Sequence, residues 1–487
     1  MLAPDLRLKA LNKAPINSRG GYVVYWMTAA RRTSYNFGLE HAAARASKLG
    51  KGLVVLEALR CDYPYASPRL HAFIVQGMAD NAQALRQRPV LYHPYLEPEP
   101  GAGKGLLAAW AEKACAVVCD WYPCFFIPRM LKAAASEVGV RVEAVDSCGL
   151  APLDAPGNAF ARAYDFRRWL QKSLSRFLNE MPAPDPLAVK LPRPPAMPRR
   201  IAQAWPAAVN QDLILGKAIS KVKLPPGPGP VDILGGAQTA RKALRRFLKV
   251  GLQSYAEKRN QPEDGFTSGL SPYMHFGHIS AHEIFYELAE AEAWAPHLLS
   301  LESKGKREGW WGMSASAEAF LDQLITWREL GYNFCQYRAD YDRYESLPEW
   351  ALSTLKVHAG DKREYQYSLD ELKAAATHDE IWNAAQRQLL RQGVIAGYLR
   401  MLWGKKILEW SPSPRTARAR MIELNDRYAL DGRDPNSYSG IFWCLGRYDR
   451  PFGPERPVFG KVRFMSSQST RRKLRLTDYL ERFGPGN

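Results

Sequence analysis

The sequence predicts an α/β domain with a doubly wound parallel sheet, followed by a linker and an all-helical domain. Three observations carry this. Strand-like and helix-like runs alternate over residues 21–150, prolines crowd residues 181–235, and helical periodicity dominates from residue 236 onward. Strand–helix alternation builds βαβ units, and these close into a parallel sheet covered by helices. The domains are expected at 1–180 and 236–487, with the linker at 181–235 between them.

In chain order the strands are expected at GYVVYWM, GLVVLEAL, RPVLYHPY, CAVVCDWY and VRVEAV. Each is a short run rich in β-branched and aromatic residues, as a buried parallel strand requires. Between them YNFGLEHAAARASKL and RLHAFIVQGMADNAQALRQ show the spacing of amphipathic helices. The turn after the first strand reads TAARRTSYN and contains no GxGxxG, so nicotinamide dinucleotide binding is not supported. MPAPDPLAVKLPRPPAMPRR and KVKLPPGPGP cannot sustain a helix or a sheet and read as a surface connection. Helical patterns follow in RKALRRFLKVGLQSYAEKR, SAHEIFYELAEAEAW, SAEAFLDQLITWREL, SLDELKAAA and WNAAQRQLLRQGVIAGYLRMLWGKKILEW.

With 487 residues and 46% hydrophobic content the chain can bury substantial cores. Its net charge of +18 and pI near 9.5 create a field that attracts polyanions, nucleic acid first. No apolar run reaches the length of a membrane span and the N-terminus lacks the apolar region of a signal peptide, so a cytoplasmic protein is expected. Seven cysteines at scattered spacings argue against a disulfide framework. Cys115, Cys119 and Cys124 have no second cluster at ligand spacing, so no metal site is expected.

Chemistry concentrates in the helical half. Ser268 and Ser271 in TSGLSPYMHFGHIS lead into a helix and could cradle a phosphate, although Ser-Pro loops also cap helices generally. NDRYALDGRDPNSYSG gathers acid, amide and arginine groups in one turn-rich stretch. Trp and Arg recur side by side in WREL, GYLRM, FWCLGRYDRP and GKVRF, a pattern suited to stacking on unpaired bases. Trp403 and Trp410 stand seven residues apart, which places them on one helix face roughly 10 Å apart. Spacing alone leaves three readings open for these rings: core, a stacking surface, or a route for electrons.

The ordered set FLDQLITWRELGYNFC, WNAAQ, GYLRMLWGKKILEW, LNDRYALDGRDPN, GIFW and GKVRFMS resembles class II cyclobutane pyrimidine dimer DNA photolyases of the photolyase/cryptochrome family. The likeness runs along nearly the whole chain and is densest from 316 to 480. It implies a Rossmann-like antenna domain, a helical domain holding FAD, and light-driven repair of UV lesions in double-stranded DNA by a monomer. An antenna chromophore, deazaflavin or folate, is compatible with the first domain, and nothing in the residues selects one. By matching motif, Tyr255, Ser268, Leu270 and Ser271 are expected along the FAD phosphates. Arg400 and Asp431 are expected as a salt-bridged pair beside the flavin ring, with Asn425 facing its N5. Trp382, Trp403 and Trp410 match the family's electron relay, with Tyr367 as an accessory member. Trp327, Met401 and Trp443 match the residues that contact a lesion flipped from the duplex. Arg450 and Arg463 match basic residues that brace the gap left in the DNA.

The chain departs from the family pattern at four positions. Gln323 replaces a glutamate that bonds the dimer; its amide can donate but cannot share a proton as an acid does. Gly269 stands where an amide side chain is common, and Ile395 and Ala396 fall where the family's KMHGY becomes VIAGY. Glutamine at position 323 is shared with the six-four photolyase and animal cryptochrome branch, whose histidine pair has no counterpart here. These departures motivate an alternative, a cryptochrome-like blue-light photoreceptor with little repair or altered lesion specificity.

Overall fold

The computed structural model describes residues 1–263 and 265–486, which divide into two compact units. The first comprises Met1–Ala155, Leu174–Leu244 and Leu270–Glu290. The second comprises Pro156–Ser173, Arg245–Gly269 and Ala291–Asn487. The proline-rich stretch 181–235 therefore falls within the first unit.

The first unit is built on a six-stranded sheet with the order β1-β6-β5-β2-β3-β4. Its strands are β1 (Leu8–Ala10), β2 (Tyr22–Trp26), β3 (Gly52–Leu59), β4 (Val90–Leu96), β5 (Ala114–Asp120) and β6 (Arg141–Val145). The five strands from β2 to β6 run parallel and coincide with the five expected runs. The sheet is not wholly parallel as expected, because β1 pairs antiparallel with β6 along one edge. Strands β2 and β5 are buried along their whole length, which is why they read as unbroken apolar runs rather than as alternation. Helix α1 (Phe37–Leu49) starts where the Asn36 side chain accepts from the Leu39 N–H and stops at Gly50 in the left-handed region. Helix α2 (Pro68–Leu85) starts at Ser67, capped in the same way and followed by proline at its first position.

Strand order reverses at β2, with β3 and β4 to one side and β5 and β6 to the other. Such a switch point is where open α/β sheets bind ligands. Here the last residue of β5 fills it. Asp120 Oδ2 accepts from the N–H groups of Thr28, Ala29 and Ala30 at 2.8, 2.7 and 2.9 Å, and Oδ1 from the Tyr25 hydroxyl at 2.6 Å. The amides that a dinucleotide phosphate would use are spent on the chain's own carboxylate, in keeping with a turn that lacks GxGxxG.

In the second unit the long expected helix over 382–410 is two helices, Glu380–Gln392 and Gly397–Trp410. The break falls at Gly393, whose φ of 71° suits glycine and closes the first helix. The two helices then fold back on each other in a core shared with Leu399, Ile407, Met421 and Phe442. Two glycines let neighbouring helices approach more closely than a side chain would allow. A Cβ on Gly331 of helix Arg328–Tyr337 would lie 2.8 Å from the Asn436 backbone, and one on Gly404 would lie 2.5 Å from Cys444 Sγ. Both contacts involve helix Pro435–Cys444, which carries Trp443. No helix among the described residues is long and apolar enough to cross a membrane.

Candidate functional site

Helix Gly397–Trp410 presents Arg400, Met401, Trp403 and Trp410, at about 100° of rotation per residue, to three neighbourhoods. The first is polar. Arg400 Nη2 bonds Asp431 Oδ1 at 2.9 Å, with about a quarter of the arginine side chain and a tenth of the aspartate exposed. Asp431 is buried and Arg400 only partly exposed, so the pair is more than a surface salt bridge, and removal of one partner leaves the other charge uncompensated. The pair leaves most of the guanidinium fork and the second carboxylate oxygen available to a bound polar ring. Asn425 is buried close by in sequence. Its amide nitrogen donates to Asp426 Oδ1 at 3.0 Å and to Ser437 Oγ at 2.5 Å, which fixes the side chain and leaves its carbonyl oxygen as the variable partner. Asp426 anchors this turn, accepting from the Arg433 N–H at 2.9 Å and the Tyr438 hydroxyl at 3.1 Å. Burial raises its pKa, against the pull of the Arg433 cation. This donor and acceptor set fits the polar edge of a flavin ring.

The second neighbourhood is aromatic. Trp382, Trp403 and Trp410 are all buried. Trp382 stands parallel to Trp403, with ring centroids 6.5 Å apart and planes 1° from parallel, and meets Trp410 edge-on at 5.5 Å. The three rings thus form a file in the order Trp403, Trp382, Trp410, with Trp403 one helical turn from Arg400. Indole N–H groups lock the geometry: Trp382 donates to the Trp403 carbonyl at 3.1 Å, and Trp403 to Gln386 Oε1 at 2.9 Å. Beyond Trp410 the file continues to Tyr367, centroid to centroid 5.3 Å. Core packing and an ordered file are both present; spacing alone could not separate them, and the fold makes them one object.

The third neighbourhood gathers Trp327, Met401, Trp443 and Arg463. Trp327 ends a wide, π-helical turn, Asp322–Trp327, an insertion of the kind that collects at functional sites. Its ring stacks on Trp443, with centroids 4.3 Å apart and planes 13° from parallel. Each indole N–H is held by a carboxylate, Trp327 by Asp322 at 3.1 Å and Trp443 by Asp449 at 3.0 Å. Each carboxylate is paired with an arginine in turn, Asp322 with Arg167 and Asp449 with Arg463. Arg463 and the exposed Arg450 both lie over the Phe452 ring, at 4.8 and 5.9 Å. The Met401 sulfur touches Cys444 Sγ at 3.9 Å. Gln323 lies in the same wide turn, half-buried, and its amide makes no hydrogen bond among the described residues.

Sequence reasoning missed Asp322, Asp449, Gln386 and Asp426. Their partners lie from one to 155 residues away, at spacings that match no motif. The remaining expected residues are dispersed. Tyr255 is buried edge-on against Phe247 and Phe320, and Ser268 is half-buried, both in the second unit. Leu270 and Ser271 belong to the first unit, Leu270 buried and Ser271 exposed at the start of a one-turn helix. Gly269 has a φ of 65° and open space around its Cβ position, a setting that asparagine also tolerates. Ile395 is buried in the core, and the Ala396 N–H donates to Gln388 Oε1 at 3.2 Å.

No protein-family model matches the chain. Full-length relatives do. A deoxyribodipyrimidine photo-lyase of Methanothermobacter thermautotrophicus is 34% identical over 98% of this chain and 97% of its own length. One from Oryza sativa subsp. japonica is 33% identical over 95% of this chain and 87% of its own length. The crystal structure of a bacterial class III photolyase from Agrobacterium tumefaciens superposes with a TM-score of 0.66 at 17% identity, covering 95% of this chain and 86% of that one. The fold is therefore that of a light-dependent DNA-repair enzyme. The chain belongs to the deoxyribodipyrimidine photo-lyase family.

Proposed function

We propose that this protein is a flavoenzyme that uses light to split cyclobutane pyrimidine dimers in DNA, with an antenna domain over 1–180, a linker over 181–235 and a catalytic domain over 236–487. The observation that carries the reading is the file Trp403, Trp382, Trp410, which begins one helical turn from the Arg400–Asp431 pair. A redox file needs a redox partner at its inner end, and the polar set beside it suits a flavin. FAD, when bound and reduced, supplies the photoexcited electron that enters the dimer and returns after the cyclobutane bonds part. The chain's residues do the rest. Arg400 and Asp431 hold the ring's polar edge, Asn425 presents its carbonyl to it, and Tyr255 and Ser268 of the same unit receive the phosphates. Trp327 and Trp443 supply aromatic walls for the flipped lesion, Met401 its floor, and Gln323 an amide donor to its carbonyls. Arg450 and Arg463 meet the DNA, so affinity is expected to fall steeply as salt rises.

Gln323, in the place of an acid, favours a second reading, a blue-light photoreceptor that keeps the cofactor and the tryptophan file but repairs poorly. One experiment separates them. The reduced, flavin-loaded protein is illuminated with an oligonucleotide carrying a cyclobutane dimer, and dimer loss is followed against a dark control. Light-dependent loss at catalytic turnover supports repair. Photoreduction of the flavin without dimer loss overturns it in favour of the photoreceptor.

A further inference from the structure

We infer that His378 is the proton acceptor that turns Tyr367 into a proton-coupled outer terminus of the tryptophan file, with Tyr365 as the residue that positions and shields the charged imidazole. The inference rests on the relay reading given above. The Tyr367 hydroxyl accepts from the His378 backbone N–H at 3.0 Å and lies 2.5 Å from His378 Nδ1. In the tautomer that carries its proton on Nε2, Nδ1 is the acceptor for the phenol's own proton. His378 also meets Trp410 at 5.4 Å between centroids, as Tyr367 does at 5.3 Å, so the pair caps the last indole of the file. Tyr365 lies flat on His378 at 3.7 Å and 40% of it is exposed, which brings the file to water.

The chemistry explains why the arrangement matters. A phenol gives up an electron easily only if its proton leaves with it, since the protonated radical cation is a very strong acid. When an oxidised Trp410 draws one electron from Tyr367, the phenolic proton moves to His378 Nδ1. Trp410 is restored, and a neutral tyrosyl radical and an imidazolium remain. An external thiol then returns one electron to the tyrosyl, becoming a thiyl radical and releasing its own proton to water. The tyrosyl takes its proton back from the imidazolium. The Tyr365 face stabilises the transient cation. The charged groups around this end do not compete for the proton. Lys406 stands 5.5 Å over the Trp410 ring and is paired with Glu409 at 2.8 Å and Asp379 at 3.8 Å. Asp379 is occupied by the Trp382 N–H and the Ser467 hydroxyl.

The test is flash photolysis of the protein loaded with oxidised flavin, following tryptophanyl and tyrosyl absorption in light and heavy water. In the wild type a tyrosyl signal should grow as the tryptophanyl signal decays. It should grow more slowly in heavy water. His378→Gln keeps an acceptor for the hydrogen bond but cannot take the proton, so tyrosyl formation should slow on the order of a hundredfold, the usual worth of a positioned base. Tyr367→Phe should abolish the signal. If Trp403→Phe removes all radical signals while His378→Gln leaves the tyrosyl rate and its isotope dependence unchanged, His378 is not the acceptor and the relay stands without it. If radicals form at the wild-type rate in Trp403→Phe, the relay itself is wrong, and this inference falls with it. The heavy-water comparison uses the unaltered protein and is independent of how the variants fold.

Discussion

Trp327 and Trp443 lie face to face, 4.3 Å between centroids and 13° from parallel, each pinned at its N–H by its own carboxylate. They come from helices brought together where Gly331 admits the Asn436 backbone. Two faces in contact leave no room for a third ring, so a lesion that uses these indoles as walls must part them. The stack itself should be worth about 1 kcal/mol beyond the area it buries. A double-mutant cycle of Trp327→Ala and Trp443→Ala on unfolding free energy should return a coupling of that size. The exciton signal of the pair in near-ultraviolet circular dichroism should vanish when dimer-containing duplex binds and persist with undamaged duplex. Persistence in both would place the lesion elsewhere.

Arg400 and Asp431 provide the second prediction. Asp431 is buried, so Arg400→Ala strands its carboxylate and should lower the unfolding free energy by about 1–3 kcal/mol. Flavin affinity should fall at least tenfold, about 1.4 kcal/mol, because a bound ring loses a charged partner in a confined site. Equilibrium dialysis of FAD against both single variants is the measurement. Wild-type affinity in Arg400→Ala and Asp431→Ala alike would remove the pair from the cofactor site.

Lys405 makes a pH prediction. It is fully buried, its Nζ bonds the Cys444 carbonyl at 2.7 Å, and burial pushes its pKa from 10.5 down to about 8. Between those values the unfolded state holds a proton that the folded state has released, so stability rises with pH across the window. Below it the buried ammonium costs the fold about 3 kcal/mol, at roughly 1.4 kcal/mol per pH unit. The neighbouring Cys444 thiol is pushed up to about 11 by burial and stays neutral through most of the range. Unfolding free energies of wild type and Lys405→Met, compared at about pH 7 and about pH 10, should differ by a term that shifts in favour of wild type at the higher pH. A pH-independent difference would mean that the lysine keeps its proton in the fold as readily as in the unfolded chain.

Much of this was legible in the sequence, and what was not has physical causes. Strands β2 to β6 announced themselves because both faces of a parallel sheet are buried, which forces runs such as YVVYW and ACAVVCD. Strand β1 did not, since three partly exposed edge residues, Leu-Lys-Ala, carry no apolar run. The tryptophans stood out by motif, yet their order depends on the helix break at Gly393, which lets Trp382 reach both Trp403 and Trp410. The carboxylates behind the stacked indoles were invisible: Asp449 serves Trp443 and Arg463 through folded geometry.

On the proposed repair reading, Gln323 is the residue that sets the yield. It lies in the wide turn that ends at Trp327, half-buried, with its amide uncommitted among the described residues. An amide can donate to the carbonyls of a dimer as a protonated acid does, so binding needs no acid here. After electron arrival the two differ, because an acid can share its proton with a negatively charged oxygen and an amide cannot. Gln323→Glu should therefore raise the number of dimers split per absorbed photon while changing lesion affinity by less than about 1.4 kcal/mol, a tenfold range. The carboxyl must be protonated to donate, so the gain should be largest at low pH and fade as pH rises and the acid ionises. Quantum yield and dimer affinity, measured on both proteins across that range, check it. An unchanged yield at every pH would show that the residue at 323 only holds the lesion. A loss of affinity greater than tenfold would show that the surroundings of the turn are built for an amide.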